Sequence, residues 1–318
     1  MRTYFICFIL FISFAYSQYS LKTEHLGGAK DAKGSNTFRA TLLKNGSTVS
    51  TVERKLPYDV PFPSVHINET TGIFILSYTF DGFVEVYNGA GKKLWEENFF
   101  KEMGPNYERT ITVALGSNVI AFLTSDVTLP NASVHRYTVS GRKEWETALP
   151  HSMGYEIAMS NDERTIVAGS YFVLEDEVRT ASTLLDMEGT VRGTAAILFR
   201  SASFNDKGDL VALASDREMV VYDVNARKEL ARAARRTDGI ISNIVWSGSS
   251  LYVQESTVRT TPEHEFYFAD PTVIRYSDAL KELSRRSMAV ERFKTSSLRN
   301  SGTQVELQCD TKTFSVDR

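Results

Sequence analysis

Cysteine is nearly absent from this chain. There are 2 cysteines in 318 residues, and one of them, Cys7, lies in an apolar segment near the N-terminus. If that segment is removed, Cys309 has no partner for an intramolecular disulfide. The chain must therefore be stabilised by an apolar core rather than by a disulfide framework. Cys309 stands in an alternating stretch, residues 305–309, which predicts that its side chain faces this core.

The chain also lacks the short motifs that carry chemistry. We find no His-Glu-x-x-His, no Gly-x-Ser-x-Gly and no Gly-x-x-x-x-Gly-Lys in the sequence. The histidines are scattered, without metal-ligand spacing: His25, His66, His135, His151 and His264. We therefore predict no catalytic, cofactor-binding or metal-binding residues. The net charge of −3 gives no reason to expect a nucleic-acid partner.

Long apolar runs are confined to the N-terminus. Arg2 is followed by an apolar run over residues 4–14 and by Ala15-Tyr16-Ser17, a small-x-small pattern. This arrangement predicts a secretory signal peptide over residues 1–17, cleaved after Ser17. The run is shorter than the about 20 residues of a membrane span, so we expect an exported chain, secreted or periplasmic, without a membrane span. We interpret the polar residues 18–36 as a linker or loose arm.

What the sequence does contain is a repeated two-strand unit. In residues 80–99, a strand-forming segment leads through Asn88-Gly89-Ala90-Gly91 into a second, more polar segment that includes Trp95. Gly141-Arg-Lys-Glu-Trp145 repeats this pattern, and weaker copies turn at Gly46, Gly189, Ala226 and Ala279. The turns are separated by 45, 50, 48, 37 and 53 residues. A period of roughly 40–50 residues is typical of a ring of four-stranded sheets.

A second kind of hairpin precedes most of these units, as in residues 66–76 and 202–214. We count six hairpins of each kind. The first Gly-turn hairpin, residues 37–54, has no partner before it, and the last partner hairpin, residues 298–309, has none after it. The simplest solution is six four-stranded units closed by the N- and C-terminal hairpins in one shared sheet. Seven units, with a strand before Gly27, is the alternative. Segments 226–236 and 278–294 have helix propensity, but the repeat register predicts outer strands there.

The amino-acid sequence of the repeat resembles that of a known superfamily. Val86-Tyr-Asn-Gly-Ala-Gly-Lys-Lys-Leu-Trp95 is similar to a PQQ-like blade, and Val221-Tyr222-Asp223 resembles the same strand. The chain thus resembles β-propellers with WD-repeat-like, YVTN-like or PQQ-like blades. The resemblance implies an all-β propeller, with residues 37–318 as a single domain. It extends only to the repeat, and the superfamily includes enzymes, receptors and scaffolds, so it implies no particular activity.

The longest insertion in the repeat, residues 255–272, is our candidate partner-binding site. Its polar and aromatic residues are Glu263, His264, Glu265, Phe266, Tyr267, Phe268 and Asp270. Aromatic side chains are favoured on surfaces that a partner buries. The alternative is that residues 266–268 extend a strand and pack on a neighbouring blade. In a propeller, insertions 126–132 and 175–180 and linkers 101–108 and 150–155 would share the same face.

The sequence therefore predicts an exported, non-catalytic β-propeller that acts as a protein-binding or assembly module. Its partner would be another exported protein, with no nucleic acid and no cofactor. The alternative hypothesis is a small exported propeller enzyme, a hydrolase, lyase or quinone-dependent oxidoreductase, with its site at the central funnel. Glycosylation triplets at Asn45, Asn68 and Asn131 would matter only in a eukaryotic secretory pathway.

Overall fold

A computed structural model describes residues 18–26, 35–57, 60–175, 177–235, 239–302 and 304–316. The predicted signal peptide, residues 1–17, lies outside these ranges. All regular structure in the described ranges is β-strand. No helix long and apolar enough to cross a membrane occurs in them.

The strands form seven antiparallel sheets that follow each other along the chain. Sheet 1 contains β1 (Tyr19–Leu26), β2 (Ser35–Lys44) and β3 (Ser47–Pro57). Sheet 2 contains β4 (Ser64–Ile67), β5 (Phe74–Tyr78), β6 (Phe83–Tyr87) and β7 (Lys93–Asn98). Sheet 3 contains β8 (Thr110–Leu115), β9 (Val119–Ser125), β10 (Ser133–Thr138) and β11 (Lys143–Ala148). Sheet 4 contains β12 (Met153–Met159), β13 (Ile166–Leu174), β14 (Glu177–Leu185) and β15 (Val191–Ala195).

The remaining three sheets continue the series. Sheet 5 contains β16 (Ser201–Phe204), β17 (Leu210–Ala214), β18 (Glu218–Asp223) and β19 (Lys228–Ala234). Sheet 6 contains β20 (Ile240–Ser247), β21 (Ser250–Thr260), β22 (Phe266–Tyr276) and β23 (Glu282–Ser287). Sheet 7 contains β24 (Ser296–Asn300), β25 (Val305–Cys309) and β26 (Lys312–Ser315).

The two three-stranded sheets at the ends are incomplete in different ways. In each four-stranded sheet, the pairing of the third and fourth strands is broken by a register shift, as between Val86 and Tyr87. The β2–β3 pair has the same shift, between Leu42 and Leu43, and the same left-handed turn at Gly46 (φ 79°). Sheet 1 therefore corresponds to strands two to four of the repeat. The β25–β26 pairing has no such shift, so sheet 7 corresponds to strands one to three.

This arrangement corrects the predicted closure. The structure has seven sheets, against the six predicted, and the terminal hairpins lie in separate sheets. The difference comes from β1, a strand before Gly27, which the seven-unit alternative required. The interpretation of residues 18–36 as a linker does not hold for Tyr19–Leu26, whose residues pair with β2 along their full length.

The segments with helix propensity are outer strands where they are regular. Lys228–Ala234 pairs with β18, and Glu282–Ser287 pairs with β22. Most residues of both strands are exposed. Pairing with a buried neighbour thus overrides a local preference that is weak on its own.

The core lies between sheets rather than within them. The second and third strands are almost wholly buried, as in β5 and β9. Six apolar clusters join consecutive sheets, from Phe38 and Phe74 between sheets 1 and 2 to Phe293 and Val305 between sheets 6 and 7. Each four-stranded sheet is therefore held by apolar contacts on both of its faces.

The outward faces of sheets 1 and 7 are mostly polar. Thr37, Arg39 and Thr41 alternate with the buried side chains of β2, and Glu306 and Gln308 alternate with those of β25. No apolar cluster joins sheets 1 and 7 within the described ranges. An ion pair reaches across this region, from Arg299 of sheet 7 to Glu69 of sheet 2 (Nη1 to Oε1, 3.7 Å). We call this region the seam.

The repeated tryptophans hold adjacent sheets together. Trp95 of sheet 2 donates its indole N–H to the carbonyl of Val139 in sheet 3 (2.8 Å), and its ring lies against Gly141. Trp145 makes the equivalent bond to Met187 of sheet 4 (2.8 Å) and lies against Gly189. Gly141 and Gly189 thus leave the room that the tryptophan of the preceding sheet occupies.

Chain direction divides the molecule into two faces. The turns between second and third strands lie beside the linkers that join sheets. Backbone hydrogen bonds from Asn106 to Phe80, and from Asp270 to Val290, show this. We call this side the linker face. The other turns, including residues 45–46, 68–73 and 139–142, form the opposite side, which we call the turn face.

Candidate functional site

The predicted insertion is a long hairpin that extends β21 and β22 from the linker face. These strands have 11 residues each, whereas β17 of the preceding sheet has 5. At about 3.3 Å per residue, the extension is roughly 20 Å long. It begins after a register shift between Glu255 and Thr257 and closes in a tight turn with His264 at φ 64°. We call residues 257–270 the long arm.

The long arm packs against the linker between sheets 6 and 7. Phe268 exchanges two backbone hydrogen bonds with Phe293 (2.9 Å each), and the two rings stack at 5.7 Å. The Arg292 guanidinium lies over the Tyr267 ring, 4.9 Å from its centroid. These contacts fix the arm relative to the ring of sheets, so it is a supported projection rather than a loose loop.

The two interpretations of the aromatic run each describe part of it. Phe268 and Tyr267 are partly buried against the linker, as the packing alternative required. Phe266, in contrast, is 74% exposed. Phe266 and Phe268 lie two residues apart, on the same side of the strand. Their exposure differs because Phe266 lies nearer the turn, whereas Phe268 lies at the contact with Phe293 of the linker.

The acidic residues of the arm are divided between structural pairs and free surface. Asp270 pairs with Arg259 on the opposite strand (2.5 Å). Glu265 lies 3.7 Å from Arg292 and 3.6 Å from Lys294. The carboxylate of Glu263 accepts its own backbone N–H and the Thr261 hydroxyl, which keeps its pKa below the usual range.

A recess of about 500 Å³ lies between the arm and the linker. Its walls include Arg259, Tyr267, Asp270, Glu291 and Arg292. Acidic and basic groups alternate around it, and most of them are already paired. The recess could therefore receive polar groups of a partner at the base of the arm, while Phe266 offers an apolar contact beyond it.

A second hairpin projects from the same face and was missed among the predicted site residues. β13 and β14 have 9 residues each, and the outer part of this hairpin, residues 171–175 and 177–180, is what we call the short arm. Val173, Leu174 and Val178 are 54%, 56% and 60% exposed. The sequence signal was the apolar run of residues 171–174, which continues past the buried part of the strand.

In sheet 3, a buried ion pair fixes the loop after β9 to the linker before β8. The Arg109 guanidinium (1% exposed) donates to the Asp126 carboxylate (0% exposed) across 2.7 Å. Burial by itself would raise the pKa of Asp126, but hydrogen bonds from Thr128, Arg109 and Asn106 outweigh it and bring the pKa to about 2. This ion pair thus joins the linker before β8 to the loop after β9.

The funnel alternative requires titratable side chains that converge near the ring centre. The first strands carry two such groups with shifted pKa values. Burial lowers the pKa of His66 on β4 to about 4 and raises that of Glu156 on β12. They belong to sheets 2 and 4, with sheet 3 between them. Within the part of the chain that the structure describes, no three His, Cys, Asp or Glu side chains form a metal-binding group.

Comparisons with known proteins identify the fold. No family model and no curated protein matches the chain. A chain from the mitotic checkpoint complex is similar in structure, with a TM-score of 0.57 and 11% identity, covering 92% of this chain and 93% of that one. A chain of Kuenenia stuttgartiensis hydrazine synthase is similar with a TM-score of 0.55 and 12% identity, covering 78% and 74%. The predicted β-propeller fold is confirmed, and at these identities the likeness shows the fold alone.

Proposed function

We propose that this chain is an exported, non-catalytic β-propeller that binds another exported protein through its linker face. The observation that carries the proposal is the pair of projecting arms, which expose Phe266, Val173, Leu174 and Val178 on one side of the molecule. Clustered exposed apolar side chains, such as those of the short arm, are typical of interaction surfaces. Both arms are extensions of buried strands, so little ordering would be needed on binding.

The predicted site residues take distinct roles in this proposal. Phe266 is the apolar anchor, because most of its ring is open to solvent. Glu263 and His264 flank it at the turn and form a polar rim. Tyr267, Phe268 and Asp270 support the arm from within the molecule.

Site-specific photocrosslinking tests where the partner docks. A photoreactive amino acid is placed at Phe266 on the long arm, at Val173 on the short arm, and at Leu283 as the control. Leu283 is 52% exposed, but it lies on the outer strand of sheet 6, away from both arms. In native exported fractions, we expect one crosslinked partner shared by the two arm positions and absent from Leu283. A partner crosslinked only from Leu283, or none from the arms, would contradict the proposal.

The identified partner then allows an affinity measurement. Burial of a large apolar side chain contributes about 1.5–3 kcal/mol, and 1.4 kcal/mol corresponds to tenfold in affinity. We therefore expect Phe266→Ser to weaken binding at least tenfold and Leu283→Ser to leave it unchanged. Equal affinities of the two variants would show that the long arm is not the anchor.

A further inference from the structure

Three Asn-x-Ser/Thr triplets lie in turns or loops of the structure, at Asn45, Asn68 and Asn131. The triplet alone marks an acceptor for an N-linked sugar. Whether the folded protein can carry the sugar depends on where the amide nitrogen of each asparagine points. The three sites differ in this respect.

The Asn45 amide is open. Asn45 forms the two-residue turn between β2 and β3, and every residue from 44 to 49 is exposed. Its side-chain oxygen accepts the backbone N–H of Gln18 (3.0 Å), while its Nδ2 has no hydrogen-bond partner among the described residues. An added Cβ at the adjacent Gly46 would meet no atom within 4 Å. A sugar on Nδ2 would therefore extend into solvent.

The Asn131 amide is engaged. Its Nδ2 donates to the backbone carbonyl of Leu149 (2.7 Å), in the linker after β11. The next residue, Ala132, is fully buried; its backbone N–H donates to the carbonyl of His151, and its carbonyl accepts the N–H of Leu149. A sugar on this nitrogen would stand between the loop and the linker and would separate them.

Asn68 is intermediate. Its side-chain oxygen accepts the backbone N–H groups of Thr70 and Thr71 (3.0 Å each), and the residue is half-buried. It borders a recess of about 310 Å³ together with Gly116 and Ser117. An experiment that compares Asn45 with Asn131 should therefore use a variant that lacks the Asn68 acceptor.

We propose that Asn45 is glycosylated, and Asn131 is not, when the chain folds in a eukaryotic secretory pathway. In this step, Nδ2 of Asn45 attacks the anomeric carbon of an oligosaccharide linked to a lipid diphosphate. The bond from that carbon to the diphosphate oxygen breaks, the carbon–nitrogen bond forms, and the amide loses one proton. The sugar then occupies the turn face and leaves the linker face free. The natural occurrence of the step rests on the export in the proposed function.

The test supplies export independently. Residues 18–318 with Asn68→Gln are placed behind a signal peptide of proven function and secreted from a eukaryotic host beside a reporter glycoprotein. Ser47→Ala and Ser133→Ala, each added singly, remove one acceptor triplet without changing its asparagine. Enzymatic deglycosylation in heavy-oxygen water followed by peptide mass spectrometry locates the sugar, and a thermal melt verifies the fold.

We expect one sugar on the folded, secreted protein, lost with Ser47→Ala and retained with Ser133→Ala. An unmodified Asn45 in secreted protein whose co-secreted reporter is glycosylated would overturn the proposal. A sugar on Asn131 in folded protein would overturn it equally. Neither result bears on the arms, which the crosslinking experiment tests separately.

Discussion

The contact between Trp95 and Gly141 leads to a quantitative prediction. Gly141 has φ 95°, and a Cβ added there would lie 2.8 Å from Cδ1 and Cγ of Trp95. Gly46 occupies the equivalent turn of sheet 1 with φ 79°, but an added Cβ would meet nothing within 4 Å. Both positions require a left-handed backbone, but only Gly141 contacts a tryptophan, so the two form a matched pair.

The cost of Gly→Ala at the two positions can be separated into two parts. A left-handed conformation costs an L-residue about 1–2 kcal/mol, and this applies to both. Overpacking of a filled contact costs about 1–3 kcal/mol more, and this applies to Gly141 alone. We therefore expect Gly46→Ala to lower the free energy of unfolding by about 1–2 kcal/mol and Gly141→Ala by about 2–5 kcal/mol.

Urea unfolding of non-glycosylated protein measures both values, and a double-mutant cycle assigns the difference. In a Trp95→Ala background the added methyl group has room, so Gly141→Ala should then cost no more than Gly46→Ala. If the two single variants are equally stable, or if Trp95→Ala leaves the penalty at Gly141 unchanged, the indole does not set the requirement for glycine.

Three further predictions follow from buried groups. Asp126→Ala leaves the buried Arg109 guanidinium uncompensated and should lower the free energy of unfolding by about 3–5 kcal/mol. Glu177→Ala removes one partner of an exposed pair and should change it far less. Similar losses in the two variants would contradict the burial argument. Because burial lowers the pKa of His66 to about 4, below its usual 6.5, the unfolded chain binds the extra proton, and the stability that is complete above pH 6.5 is lost as the pH falls toward 4. His66→Gln should flatten that slope in urea titrations, and an unchanged slope would refute it. Burial raises the pKa of Cys309 to about 11, so a thiol reagent should label it only after unfolding, and rapid labelling of native protein would show that the site opens.

The repeat was predictable because it encodes contacts between sheets. The spacing from Gly91 to Trp95 returns at Gly141 and Trp145 because each tryptophan lies on the next sheet's glycine turn. The signal fades afterwards for a structural reason. In sheet 4 the position that pairs like Trp95 is occupied by Gly193, and the Tyr222 hydroxyl of sheet 5 fills the space instead. A contact between a glycine and an aromatic side chain of the adjacent sheet thus remains, but here the glycine lies on the outer strand and the aromatic residue on the next sheet.

The sheet count was harder to predict because strand membership at the termini has no local signature. The hairpin of β2 and β3 was identified correctly, but its turn cannot reveal whether it completes sheet 7 or begins a sheet of its own. The pairing of Tyr19–Leu26 decides this, and their alternation of polar and apolar residues is weak.

The sequence predicted where the candidate site lies better than it predicted which of its side chains are exposed. An insertion rich in aromatic residues correctly marked the long arm on the linker face. Which aromatic side chain is exposed depends on where Phe293 of the linker meets the arm, and the sequence does not specify that tertiary contact. The short arm was predicted as an insertion, residues 175–180, on the same face, but its exposed apolar residues were not singled out. An apolar run such as residues 171–174 is expected in a core strand as well.

The seam gives the ring of sheets a beginning and an end in energetic terms. Sheets 2 to 6 each have two apolar neighbours, whereas sheets 1 and 7 each have one within the described ranges. Such an array resembles a linear series of coupled units more than a closed circle, and in a linear series the terminal units open first. Amide hydrogens of β1 and β24 should accordingly exchange through partial opening at the seam, while those of β13 and β17 exchange only when several neighbouring sheets separate.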